Sequence, residues 1–248
     1  MTPNNKVPQT YCLRCGTCCK KGGPALHHED RVLFDQGLLS WAQVYTLRRG
    51  EMVRDLDDRL VPLDQEIIKI KGRDRAWTCL FYEDAHKKCR IYPSRPVECA
   101  ALKCWDPRPL REAMKRPYLK RLDLLGRNSP LAQVVRAHEG RCSYQAIEGV
   151  VKHLESPDAC KAANHILELV SYDDFVRSFV IKRLNMDSGA TDFLFGRALR
   201  VTIRTFGLQV KQEGDTLFLA PRPSHRLDLP RSGRQAGKTS QRGTKTGH

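Results

Sequence analysis

The chain has 248 residues, 43 Lys/Arg against 28 Asp/Glu, and a formal net charge of +15. About 44% of it is apolar when glycine is counted and tyrosine is not, just under the ~45–50% of ordinary globular chains, which excludes wholesale disorder and leaves room for one domain or two small ones. No stretch approaches the ~18 consecutive apolar residues of a membrane span, so no membrane role is expected; the surplus of positive charge points towards anionic partners.

Residues 1–16, MTPNNKVPQTYCLRCG, contain no apolar core of a signal peptide, and the expected compartment is the cytoplasm, where thiols stay reduced. The first chemical feature comes at once: Cys12-Leu-Arg-Cys15-Gly16-Thr-Cys18-Cys19. C-x2-C lets one turn of backbone present two sulfurs to one ion, and Gly16 can adopt the positive φ that turns backbone N–H groups towards thiolates. The adjacent pair Cys18-Cys19 calls for two centres or one multinuclear centre, because neighbouring side chains diverge in an extended chain.

A helix is predicted over residues 40–49 with Gly50 as its stop, then a charged loop over 54–59 and a short strand over 66–71. The rest of this half is organised around cysteine, proline and glycine, as expected where metal ligation substitutes for a hydrophobic core. The second cysteine group is Cys79, Cys89, Cys99 and Cys104, with Pro93 and Pro96 stiffening the loop between ligands. Eight of the ten cysteines therefore fall between positions 12 and 104, and four plus four thiolates would fill two tetrahedral sites. Arg95 is positioned either to donate hydrogen bonds to a negatively charged thiolate centre or to pair with a carboxylate.

Residues 86–127 hold twelve basic and four acidic side chains, and the basic run around Pro107 to Arg127 reads as an exposed helix face or an anion-binding surface. Beyond them the periodicity is mostly helical. Ser129-Pro130 and Ser156-Pro157 read as helix starts. Ala159, Ala163, Ile166, Leu167 and Val170 share an inward face, and Ser171 is read as the cap of a further helix with Val176, Phe179, Val180 and Leu184 inward. Phe195, Leu199, Ile203 and Phe206 repeat the spacing, Gly207 suits a stop, and residues 208–219 read as a hairpin. Residues 221–248, with seven Lys/Arg and one Asp, are expected to form a disordered basic tail.

The order Cys-x2-Cys-Gly-x-Cys-Cys, Cys79-Leu-Phe, Cys89-x-Ile-Tyr-x-x-Arg-Pro-x-x-Cys99 and Cys104 resembles the YkgJ family of cysteine-cluster proteins, over roughly residues 12–105. The resemblance implies zinc or iron chelation, with members sometimes described as iron–sulfur oxidoreductases; it implies a site and not a reaction. Flagellin lysine methylases carry a similar cluster, but the Gly-rich cofactor loop that would extend the likeness is missing from this chain.

The resulting expectation is an α+β chain. Residues 1–105 form an irregular, metal-stabilised cysteine module, residues 106–220 a mainly helical region with a short hairpin, and residues 221–248 a tail. Cys12, Cys15, Cys18, Cys19, Cys79, Cys89, Cys99 and Cys104 are the candidate ligands of an iron–sulfur cluster or zinc, serving a redox or electron-transfer role with a redox or protein partner. The competing reading is a non-catalytic zinc module that binds nucleic acid or another anion through the basic segment and tail. No serine triad, phosphate loop or dinucleotide fingerprint is present, so any catalysis depends on the metal. Cys142 and Cys160 are read as structural thiols, and His27, His28 and His86 as solvated or capping residues.

Overall fold

The computed structural model describes residues 9–55, 59–73 and 77–221. Short helices and four separate antiparallel strand pairs make an α+β chain. The amino-terminal part begins with a one-turn 3-10 helix at Cys19–Lys21, and α1 comes next at Arg31–Asp35. Strand β1 (Val44–Leu47) pairs with β4 (Ile67–Ile70), Val44 opposite Ile70 and Leu47 opposite Ile67. Between them β2 (Met52–Arg54) and β3 (Leu60–Pro62) form a second pair around the charged loop, of which residues 56–58 lie outside the described residues.

The helix expected at 40–49 is a strand instead. Ser40 does cap, with its backbone N–H donating to Gln43 Oε1 at 2.9 Å, but the cap opens only the single 3-10 turn Trp41–Gln43. Val44, Tyr45 and Thr46 are β-branched or aromatic and suit a pleated surface. Val44 and Thr46 then bury one face of β1 while Ile68 and Ile70 bury the matching face of β4.

Next come the two-residue strands β5 (Tyr82–Glu83) and β6 (Lys88–Cys89), then α2 (Val97–Ala101), α3 (Arg108–Ala113) and α4 (Arg121–Leu125). Helix α5 (Pro130–Arg141) starts where expected, Ser129 accepting the Ala132 N–H, and runs through Gly140. After α6 (Tyr144–Val151), α7 (Ala159–Leu184) is continuous for 26 residues. It begins two residues later than Ser156-Pro157 suggests, because Ser156 Oγ accepts the Asp158 N–H in a turn before the helix.

Ser171 lies inside α7 and caps nothing. One buried stripe, Ala162, Ile166, Leu169, Val170, Val176 and Val180, passes across it without a break, and continuous packing outweighs a local capping signal. Phe179 and Leu184, expected inward, fall off the stripe and are exposed. Gly196 at φ +73° divides the last helical stretch into α8 (Thr191–Phe195) and α9 (Leu199–Thr202). Gly207 ends the 3-10 turn after α9, and β7 (Leu208–Glu213) and β8 (Thr216–Pro221) form the expected hairpin. The basic tail lies outside the described residues after Pro221.

Residues 25–91 do not leave core formation to metal. Leu26, Val44, Ile68, Ile70, Phe81 and Ile91 join Val135, Val176, Val180 and Phe193–Phe195 in one apolar cluster. Each such side chain contributes on the order of 1.5–3 kcal/mol on burial. Two buried charged groups show how partners are supplied. Asp173, fully buried, accepts from His138 Nε2 at 2.7 Å, Arg177 Nε at 3.0 Å and the Leu199 N–H at 2.9 Å. Arg121, in the basic run read as solvated, is buried and pairs with Glu66 at 2.7 Å and Glu139 at 3.0 Å. Among the described residues no helix is long and apolar enough to cross a membrane.

Candidate metal centre

Positive backbone angles shape the first cysteine loop. Arg14 lies at φ +54° and Gly16 at +77°. The Arg14 N–H points at Cys12 Sγ, 3.4 Å away, an N–H to sulfur contact of the kind the C-x2-C-Gly spacing suggests. Cys15 Sγ meets Thr17 Oγ1 at 3.3 Å. Cys18 precedes the 3-10 turn that carries Cys19, and their sulfurs stand 4.0 Å apart. Glycine at position 16 also answers a steric demand, since a Cβ there would lie 2.0 Å from Tyr82 Oη.

The second group is threaded onto the first by backbone. The Cys79 N–H donates to Cys19 O at 2.7 Å, and the β5–β6 register sets Tyr82 opposite Cys89. Cys99 rides on α2, whose first N–H, that of Val97, donates to Asp30 Oδ1 at 2.9 Å; Asp30 Oδ2 accepts the His27 N–H at 2.9 Å. The neighbouring Glu98 accepts the Ala25 N–H at 2.8 Å. Asp30 and Glu98 thus tie a very short helix to the segment that leads out of the first cysteine loop. Cys104 sits in a turn closed by the bridge between Lys103 and Asp106.

Six of the eight clustered cysteines, Cys12, Cys15, Cys18, Cys19, Cys89 and Cys104, line one cleft of about 50 Å³ with Tyr82 and Tyr92. Cys79 and Cys99 lie behind it, within electrostatic reach of Cys19. All eight are free thiols, as are the two others, Cys142 and Cys160, which line no part of the cleft: Cys142 is buried against Leu169 O, and Cys160 is exposed on α7. A larger groove along α7, lined by Arg141, Leu167, Tyr172 and Phe175 among others, contains no cysteine.

The thiols are not equivalent. The hydrogen bond with Cys19 pulls Cys18 down to about 6, while the same contact, together with burial, pushes Cys19 up. Thr17 lowers Cys15. Burial raises Cys79, Cys89 and Cys99, and to a smaller degree of enclosure Cys104.

Two expectations change at this site. Arg95 meets neither a thiolate nor a carboxylate among the described residues: Nη1 donates to Tyr92 O at 3.0 Å, and the guanidinium lies 4.3 Å from the Tyr92 ring centre, with Arg14 also 5.0 Å from it. His27 is not solvated, though it does cap: it is the N-cap of the 3-10 turn His28–Asp30. It is fully buried, stacked on Tyr118 at 4.6 Å and 3.4 Å from Glu98 Oε1. His28 and His86 are exposed beside Asp123 and Glu83, and no histidine lines the cleft. Asp30, Glu98 and Tyr82 were not legible as site residues, because each acts on a partner from a distant or differently spaced segment.

The donor set suits a metal in kind: soft thiolates select zinc, copper(I) or iron–sulfur centres over hard cations. Among the described residues no three His, Cys, Asp or Glu side chains are already drawn up as a metal site, so the fit lies in the convergence and chemistry of the thiols.

Residues 11–122 match the model of the CxxCxxCC family, described as a putative zinc- or iron-chelating domain. Comparison with curated proteins and with solved structures gave no match.

Proposed function

Starting from the match of residues 11–122 to a zinc- or iron-chelating domain, we propose that Cys12, Cys15, Cys18, Cys19, Cys79, Cys89, Cys99 and Cys104 hold an iron–sulfur cluster or zinc and that the protein serves redox or electron-transfer chemistry in the reducing cytoplasm. The observation that carries this reading is selective convergence. Thiols from positions 12–19, 79, 89, 99 and 104 gather at and behind one cleft, while Cys142 and Cys160 stay away from it.

An iron–sulfur group would supply one-electron storage; zinc would supply a fixed −2 tetrathiolate centre. The chain's own residues prepare for either charge. Arg14 and Lys87 line the cleft, and Arg90 and Arg95 lie within electrostatic reach of Cys89. None of these four cations has a carboxylate partner in an ion pair among the described residues. Tyr92 holds two of them by its ring face, which fixes positive charge near the thiolates without neutralising it.

The same unpaired cations favour the second reading, a zinc module that docks nucleic acid or another anion. Anaerobic purification and then elemental analysis with an absorption spectrum separates the two. Stoichiometric iron with a visible charge-transfer band supports the redox reading. Stoichiometric colourless zinc favours the second reading, which then requires salt-dependent duplex binding. A chain purified without stoichiometric metal refutes both.

A further inference from the structure

We infer that the eight thiols form two centres of unequal access, an inner set of Cys19, Cys79, Cys89 and Cys99 and an outer set of Cys12, Cys15, Cys18 and Cys104, and that metal exchanges with solution through the outer set. The inference rests on the metal-binding reading above and divides the site it describes.

Exposure makes the first division. Cys12, Cys15 and Cys104 are exposed, whereas Cys79 is buried and Cys19, Cys89 and Cys99 are partly enclosed; Cys18, also partly enclosed, is placed by other criteria. Anchorage makes the second. Cys79 belongs to the apolar core, with Cys19 and Cys89 packed against it. Cys89 ends β6, Cys99 lies on the helix that Asp30 caps, and the Cys19 carbonyl holds the Cys79 N–H. The outer thiols have none of these attachments. Cys12 and Cys15 sit on a loop with positive φ at Arg14 and Gly16, and Cys104 sits in an exposed turn.

Cys18 stands at the junction of the two sets, 4.0 Å from Cys19, and falls to the outer set because it is not among the thiols packed against the core and because it continues the spacing Cys12-x2-Cys15-x2-Cys18. Two adjoining centres also resolve the difficulty of the Cys18-Cys19 pair, whose side chains are given to different ions.

The physical consequence is kinetic. Releasing an ion from the inner set requires opening of core-packed structure, whereas the outer set opens with a surface loop. The test uses the full chain loaded with zinc under reducing conditions and challenged with excess chromogenic chelator. Zinc should leave in two phases of equal amplitude whose rates differ by about tenfold or more, the factor that ~1.4 kcal/mol of extra protection gives. Peptide mapping of iodoacetamide modification during the fast phase should find Cys12, Cys15, Cys18 and Cys104. Cys104→Ser should abolish the fast phase alone.

Release in a single phase from a fully loaded chain, or modification of Cys79, Cys89 and Cys99 together with Cys104, overturns the partition while leaving the metal reading intact. Failure to bind zinc at all overturns both. If Cys104→Ser does not fold, the modification map of the unaltered chain still decides.

Discussion

Gly16→Ala is the sharpest probe of how the first cysteine loop is built. Two costs add. An L-residue held at φ +77° pays about 1–2 kcal/mol of backbone strain. The new Cβ would lie 2.0 Å from Tyr82 Oη and 2.3 Å from its Cζ, so the ring must retreat by roughly 1.4 Å to reach ordinary contact. Tyr82 is only 2% exposed and stands opposite Cys89 in the β5–β6 register. Retreat therefore moves a strand pair that bears a candidate ligand, an overpacking cost of about 1–3 kcal/mol. The expected loss is about 2–5 kcal/mol, read from urea unfolding of the full chain, with metal content lowered in parallel. Repeating the substitution in a Tyr82→Leu background isolates the steric part, which should fall away and leave about 1–2 kcal/mol. A cost below about 1 kcal/mol, or one that is the same in both backgrounds, would refute the proposed contact between loop and ring.

Asp30→Ala should cost about 1–3 kcal/mol, since the Val97 and His27 N–H groups both lose their acceptor. Asp30→Asn, which keeps one acceptor, should retain more metal; equal metal content in the two variants and the parent would show that α2 does not depend on this cap. Asp173→Ala leaves Arg177 buried with only the more distant Asp192, at 3.7 Å, as a carboxylate partner and should cost about 3–5 kcal/mol. Burial alone would raise the Asp173 carboxyl, but His138, Arg177 and the Leu199 N–H hold it at about 2. Because this folded value lies below the unfolded ~3.9, its contribution of about 2–3 kcal/mol is present above pH ~4 and lost as pH falls through ~2. The stability gap between parent and variant should narrow over that window, and a pH-independent gap in urea midpoints would contradict the assignment. Cys142→Ser should cost about 1–2 kcal/mol through packing and Cys160→Ser less than about 0.5 kcal/mol, both with unchanged metal content by elemental analysis; metal loss in either would place that thiol in the site.

Signals confined to one segment were legible in the sequence. The Ser129 cap, the Gly207 stop and the final hairpin each depend on residues within a few positions of one another, and all are present in the structure. The misreadings share a different origin. Ser40 carries a genuine cap, yet the conformation of the next segment is decided by Ile67–Ile70, which lie more than twenty positions away and offer Val44–Leu47 a pairing edge. Ser171 looks like a helix start until the stripe of α7 is seen to pass on both sides of it into one core.

The same rule explains the site. Spacing picks out the candidate ligands because ligands must come in clusters, but it is silent on what orients them. The groups that do so reach across the chain: Asp30 to Val97, Ala25 to Glu98, Cys19 O to Cys79 N, and Tyr82 over Gly16. His27 falls outside the ligand set, and its surroundings agree. Eight positions from Cys19 in sequence, it is stacked on Tyr118 and hydrogen-bonded beside Arg116 O, a buried strut under α2 with no place on the cleft. Shared packing of Leu26 and Ile68 with Val176 and Phe193 then implies that the cysteine loops are held from behind by the helical half. Metal loss should consequently loosen the outer loop first, before any part of that common core.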